Sequence, residues 1–149
     1  MGLDMYLTAK HYMFDFEPEE KIICESIANM IPESARLPVK EISARAAQWR
    51  KSNQIHNWFV ENVQDGEDNC GQYYVSEEHL SELLDTVNQV LENHDLAEEL
   101  LPTQCGFFYG SQEYDDYYFE DLEYTRDVLN KLLQPEYIKY WNFEYSSSY

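Results

Sequence analysis

Residues 3–14 read Leu-Asp-Met-Tyr-Leu-Thr-Ala-Lys-His-Tyr-Met-Phe, and this stretch gives the clearest indication of the fold. Its side chains alternate between two faces of an extended chain, with Met5, Leu7, Ala9 and His11 on one face and Tyr6, Thr8, Lys10 and Tyr12 on the other. Successive side chains of a β-strand point to opposite faces of its sheet. The stretch therefore predicts an N-terminal strand.

A similar alternation occurs near the other end of the sequence, after Pro135. The residues Tyr137, Lys139, Trp141, Phe143 and Tyr145 alternate there with Ile138, Tyr140, Asn142 and Glu144. This pattern predicts a C-terminal strand that pairs with the N-terminal one. A short third strand is expected from Gln72 to Val75.

Apolar residues at helical spacing fill most of the remaining sequence. Helices are expected from Pro18 to about Pro32, from about Ala44 to Val63, after the N-cap Ser76, and from about Glu113. Residues 102–110 are predicted to form a loop. We therefore expect a single α+β domain spanning residues 1–149, in which a small antiparallel sheet packs with three to four helices and includes the N- and C-terminal strands.

The negative charge of the sequence is concentrated in one half. The protein has 10 Lys and Arg against 29 Asp and Glu, which gives a formal net charge of −19. Residues 52–125 contain 18 of the acidic side chains and no Lys or Arg. Such a surface repels DNA, RNA and anionic lipid, so we expect no direct nucleic-acid ligand. No apolar run approaches the roughly 20 residues of a membrane-spanning helix, so we expect no membrane contact.

Part of this charge follows helical spacing, in two sets that we call the acidic stripes. The sets are Glu78, Glu82, Asp85 and Glu92 after Ser76, and Glu113, Asp116, Glu120, Glu123 and Asp127 on the last predicted helix. Each extends about 21 Å, and the second places a carboxylate about every 5 Å, against one phosphate per about 3.4 Å of a DNA strand. An ordinary solvated helix face is the alternative explanation. The near absence of Glu–Lys pairs at i, i+4 favours a functional surface.

The acidic stripes predict a protein partner with a basic cleft that ordinarily binds nucleic acid. Exposed tyrosines mark interfaces, because their large apolar ring carries a polar tip. The predicted partner-binding residues are Glu78, Glu82, Asp85, Glu92, Glu113, Asp116, Glu120, Glu123 and Tyr117. The 13 tyrosines leave open a further alternative, a structural protein that forms homo-oligomers through a tyrosine-rich surface.

A small-ligand pocket, or an enzyme built around it, is the other alternative. Trp49, Asn53 and His56 are expected to meet the 102–110 loop, which contains Gln104 and Phe107. A solvent-accessible His56 would support this pocket, whereas a His56 packed in the core would exclude it. The sequence contains no motif for a nucleophile, a phosphate cradle or a metal site. We therefore predict no catalytic residue, no cofactor and no metal ligand.

Cysteine use predicts a cytoplasmic protein. Cys24, Cys70 and Cys105 are widely spaced and odd in number, and they form no Cys-x-x-Cys motif. A secreted disulfide framework normally has an even and denser set of cysteines. The first residues also lack the basic start and apolar stretch of a signal peptide.

Three segments are distinctive in detail. They are Met1-Gly2-Leu3-Asp4-Met5-Tyr6-Leu7, Trp49-Arg50-Lys51-x-Asn53-x-Ile55-His56-x-Trp58-Phe59-Val60 and Leu101-Pro102-Thr103-Gln104-x-Gly106-Phe107-Phe108. Together they resemble a family of small acidic phage and prophage proteins of unassigned function. The resemblance implies a phage origin and the host cytoplasm, and it implies no catalytic residue. Small acidic phage proteins are frequently inhibitors of host defence, some of them DNA mimics, so by analogy the resemblance favours such an inhibitor.

Overall fold

A four-stranded antiparallel sheet organises the computed structural model, which describes residues 1–14 and 17–149. Strand β1 (Asp4–Tyr12) lies between β2 (Glu41–Arg50) and β4 (Asn142–Ser148), and β3 (Tyr73–Val75) pairs with the other edge of β4. Six α-helices accompany the sheet in the described part of the chain. The α+β fold and the pairing of the N- and C-terminal strands are thereby confirmed, although the helices outnumber the three to four expected.

The alternation that predicts β1 corresponds to its burial. Met5 and Leu7 are fully buried and Ala9 nearly so, whereas the side chains between them are only partly covered. Leu7 pairs with Ala47 of β2 on one side and with Tyr145 of β4 on the other. The central strand therefore contributes one apolar face to the core.

The prediction of one long helix from about Ala44 to Val63 is wrong. Residues 41–50 form β2, and helix α2 (Asn53–Asn62) begins only after a break. Ala47 and Trp49 are buried while Gln48 and Arg50 are exposed, which is the period of a strand rather than of a helix. Lys51 ends the strand in the left-handed region with a φ of 57°, a conformation that no position inside an α-helix takes.

The C-terminal strand begins later than predicted. Helix α6 (Pro135–Tyr140) occupies the first part of the alternating stretch, because Pro135 suits the first turn of a helix. Strand β4 instead includes the serine tail of the sequence, Ser146 to Ser148. Ser147 pairs with Met5 and is buried, so this tail is part of the sheet.

Four further helices complete the chain: α1 (Pro18–Met30), α3 (Glu77–Glu92), α4 (Ala97–Leu100) and α5 (Asp116–Leu132). Ser76 caps α3 as predicted, since its side chain accepts a hydrogen bond from the amide of His79 at 3.1 Å. Helix α5 begins three residues later than expected, because Asp115 caps it by accepting from the Tyr118 amide. None of the helices in the described ranges is both long and apolar enough to span a membrane.

Candidate functional site

The acidic stripes lie on the exposed sides of two helices that pack against each other. α3 and α5 bury Leu80, Leu83, Leu122 and Leu129 in the common core. Their stripe residues are exposed, namely Glu78, Glu82, Asp85, Glu92, Asp116, Glu120, Glu123 and Asp127. Glu113 is also exposed, but it precedes α5 instead of lying on it, which corrects the predicted stripe at this position. We call the exposed carboxylates of α3 and α5 the acidic face.

The acidic face has almost no basic partners. Within residues 1–14 and 17–149, Asp127 is the one stripe residue with an ion pair, to Arg126 Nε at 3.0 Å. The charges therefore repel one another along each helix, where i, i+4 pairs of like charge are destabilising. A surface of this kind gains free energy when cations or a basic partner approach it.

A hollow of about 370 Å³ interrupts the acidic face beside the first turns of α5. Its lining combines carboxylates with rings: His94, Tyr114, Asp115, Asp116, Phe119, Glu120 and Glu123. The His94 ring stacks on Phe119, with centroids 3.7 Å apart, and forms one wall. The nearby Tyr117 is 77% exposed. Cationic side chains fit such a lining, because carboxylates and aromatic faces both attract them.

The segments of the alternative ligand site do come together. The Asn53 amide donates to the carbonyls of Tyr109 (3.1 Å) and Ser111 (2.9 Å), and its Oδ1 accepts from the Gln104 amide at 2.8 Å. These bonds fasten the 102–110 loop to the start of α2. Phe107, which the prediction placed in the pocket, is 95% exposed.

His56 does not meet the condition that the ligand hypothesis set for it. Its side chain is 1% exposed, and its Nδ1 lies 2.6 Å from the Tyr145 hydroxyl. Its Nε2 lies 3.1 Å from Asp68 Oδ2 without the alignment of a hydrogen bond. Trp49 is buried as well and donates to Thr125 at 2.8 Å. The prediction of a pocket centred on Trp49 and His56 is therefore wrong, because both side chains are buried in the core.

Asp68 connects this core histidine to the surface. It accepts a hydrogen bond from the Tyr109 hydroxyl, and the Tyr149 hydroxyl donates to its backbone carbonyl at 3.4 Å. Burial raises the pKa of Asp68, but the contacts with Tyr109, His56 and Tyr149 outweigh it and hold that pKa below its ordinary value. The group is a structural network around the Asp68 carboxylate, in which Asp68 Oδ1 and His56 Nε2 are buried without a hydrogen bond to any described residue.

A cleft with polar and charged walls lies beside the predicted pocket and is formed by different residues, among them Arg50, Lys51 and Gln54. Its volume is about 280 Å³. Arg50, Lys51, Gln54 and Asp121 line it, and sequence reasoning assigned a role to none of them. Arg50 and Lys51 are the last basic residues before the acidic region, which is the one signal that could have marked them.

Comparisons with protein-family models, with curated proteins and with solved structures found no match for this chain.

Proposed function

We propose that this protein is a phage-encoded inhibitor that binds a host defence or nucleic-acid-binding protein through its acidic face. The face occupies the basic cleft in which the host protein ordinarily holds nucleic acid. One observation supports this above all: the stripe carboxylates of α3 and α5 are exposed, and in the described ranges only Asp127 is paired with a base. A purely solvated surface has no need of such one-signed charge, since Glu–Lys pairs stabilise helices better.

The physical basis of binding is the same as for DNA. A basic cleft holds condensed anions, and it releases them when a dense row of carboxylates enters, as it does when phosphates enter. Lys and Arg of the partner form charge-assisted hydrogen bonds with the carboxylates of the face. The hollow beside α5 accommodates a protruding basic side chain, with the His94 and Phe119 rings as its wall. Such binding competes directly with nucleic acid.

The experiment that tests the proposal is capture from host lysate with two matched variants. The first neutralises the face through Glu82→Gln, Asp85→Asn, Glu120→Gln and Glu123→Gln. The second makes the same change in net charge elsewhere, through Glu25→Gln, Glu33→Gln, Glu41→Gln and Glu136→Gln, all of which are exposed. We expect the wild type and the second variant to retain a nucleic-acid-binding partner that the first variant loses.

The outcome distinguishes a specific surface from general acidity. If both variants lose the partner equally, net charge alone explains the interaction and the face has no special role. If neither variant loses it, binding occurs elsewhere on the protein. Circular dichroism of both variants checks that the fold is kept.

A further inference from the structure

The cleft of about 280 Å³ has walls of opposite charge. Arg50 and Lys51, at the end of β2, form the positive wall. The negative wall comes from the start of α5 and the segment before it, and comprises Glu113, Asp115, Glu120 and Asp121. Gln54, which is 3% exposed, and the exposed ring of Tyr117 also line the space. Groups of both signs thus face a single small cavity.

Lys51 is held in place without an ionic partner. Its backbone is left-handed, with a φ of 57°, and its amide donates to the Leu3 carbonyl at 2.8 Å. Its stem passes Gly2 and Gly110, where an added Cβ would come within 2.8 Å of Lys51 Cε and 3.1 Å of Lys51 Cβ respectively. Within residues 1–14 and 17–149, no carboxylate lies within 4 Å of the Lys51 ammonium. The two glycines therefore make room for a lysine whose charge is free to meet a ligand.

Asp121, on the opposite wall, has no ion pair with any residue that the structure describes. Burial raises the pKa of its carboxyl, and the neighbouring Glu120 and Asp115 raise it further, although contacts with Ser52 and Gln54 act in the other direction. The Ser52 hydroxyl faces Asp121 without a well-aligned hydrogen bond to any described residue. A positive group in the cleft relieves this unfavourable environment.

We propose that this cleft binds a small zwitterion of the amino-acid type, with its carboxylate at Lys51 and its ammonium or guanidinium at Asp121 and Glu120. Arg50 already pairs with Asp4 at 3.1 Å, whereas Lys51 and the carboxylates of the opposite wall face one cavity without an ion pair between them. A ligand that carries both signs satisfies these charges together. A simple cation is repelled by Lys51 and Arg50, and a simple anion by the four carboxylates. The ligand site does not require the proposed partner binding, although Glu120 belongs to both the cleft and the acidic face.

The test titrates the full chain with L-arginine and agmatine, followed by ¹H–¹⁵N NMR at 0.15 M salt. Agmatine has the same guanidinium without the carboxylate and carries a higher net positive charge. We expect L-arginine to bind about tenfold more tightly than agmatine, through one charge-assisted interaction with Lys51. Shifts are expected at the Gln54 side-chain amide and at the backbone amides of Lys51 and Ser111.

Two variants of Lys51 make the result decisive. Lys51→Met keeps the stem between the two glycines, and Lys51→Asn tolerates the left-handed backbone. Both should abolish the preference for L-arginine over agmatine, whereas the control Lys21→Met should leave it intact. The proposal is overturned if L-arginine causes no shift, if agmatine binds as tightly or more tightly, or if the shifts spread along α3 and along α5 beyond Asp121, as general cation binding would require.

Discussion

The Nδ1 atom of His56 lies 2.6 Å from the hydroxyl of Tyr145, although 89 residues separate the two in sequence. The contact joins α2 to β4 inside the core, where the Tyr145 ring also stacks on Phe59 with centroids 3.9 Å apart. The imidazole thus packs in the core and forms one buried hydrogen bond, through Nδ1. It connects the helix that carries Asn53 and Gln54 to the sheet. This helix contributes Gln54 to the cleft.

Removing the Tyr145 hydroxyl tests this contact. Tyr145→Phe keeps the stacked ring but leaves a buried ring nitrogen of His56 without its partner, which costs about 1–3 kcal/mol of the free energy of unfolding. Urea denaturation measures the loss. Tyr74→Phe is the matched control, because Tyr74 is 63% exposed and should change stability by less than about 0.5 kcal/mol. Equal effects of the two substitutions would show that the core contact adds nothing.

The lowered pKa of Asp68 predicts part of the acid sensitivity of the fold. The pKa of Asp68 is lower in the folded protein than in the unfolded one. Such a carboxyl stabilises the folded state at any pH above its unfolded pKa. The stabilisation is lost as the pH falls through the folded pKa. Below a pH of about 4, the free energy of unfolding should therefore fall more steeply for the wild type than for Asp68→Asn. The prediction would be contradicted if the free energies of unfolding of the two proteins fell with the same slope at low pH.

The raised pKa of Tyr149 predicts a corresponding loss of stability at high pH. Burial and the neighbouring Asp68 raise the pKa of Tyr149 to about 12. Its contribution is present below the unfolded pKa of about 10 and is lost as the pH rises through the folded value. Absorbance at 295 nm should show that Tyr149→Phe lacks one late-titrating phenol and loses less stability in alkali. If the phenol that the variant lacks is instead one that titrates near the ordinary value of about 10, the contact with Asp68 does not raise the pKa of Tyr149.

Asn53 is predicted to hold the 102–110 loop. Its side chain makes three hydrogen bonds to the backbone of Gln104, Tyr109 and Ser111. Asn53→Ala should lower the free energy of unfolding by about 2–3 kcal/mol and accelerate hydrogen exchange at the Gln104 amide. Asn130→Ala, an exposed change on α5, is the control. A loop that exchanges at the same rate in both variants would mean that other contacts hold it.

Local patterns predicted the elements whose sequence has one interpretation. The alternation of β1 and the cap at Ser76 were confirmed because both patterns are complete within a few residues of sequence, even though β1 itself pairs with distant strands. Residues 44–50 contain good helix formers such as Ala and Gln, and only pairing with β1 makes them a strand. That pairing is a tertiary contact which local spacing does not reveal.

The cleft was beyond local prediction for a similar reason. Lys51 and Asp121 are far apart in sequence, and they line one space only because β2 and α5 are neighbours in the fold. Asp121 stands in a run of acidic residues, and its partial burial distinguishes it from the exposed Glu120 and Glu123 beside it. Burial of this kind depends on the packed structure, whereas the exposed acidic face could be predicted from helical spacing.

The proposed function is tested most directly by the salt dependence of partner binding. The affinity of the captured partner should be measured between 50 and 200 mM salt, for the wild type and the face-neutralised variant, with duplex DNA and RNA as competitors. We predict an affinity for the wild type that falls steeply with salt, a shallower slope for the variant, and displacement of the protein by nucleic acid. An affinity that is insensitive to salt and unaffected by nucleic acid would contradict the proposal.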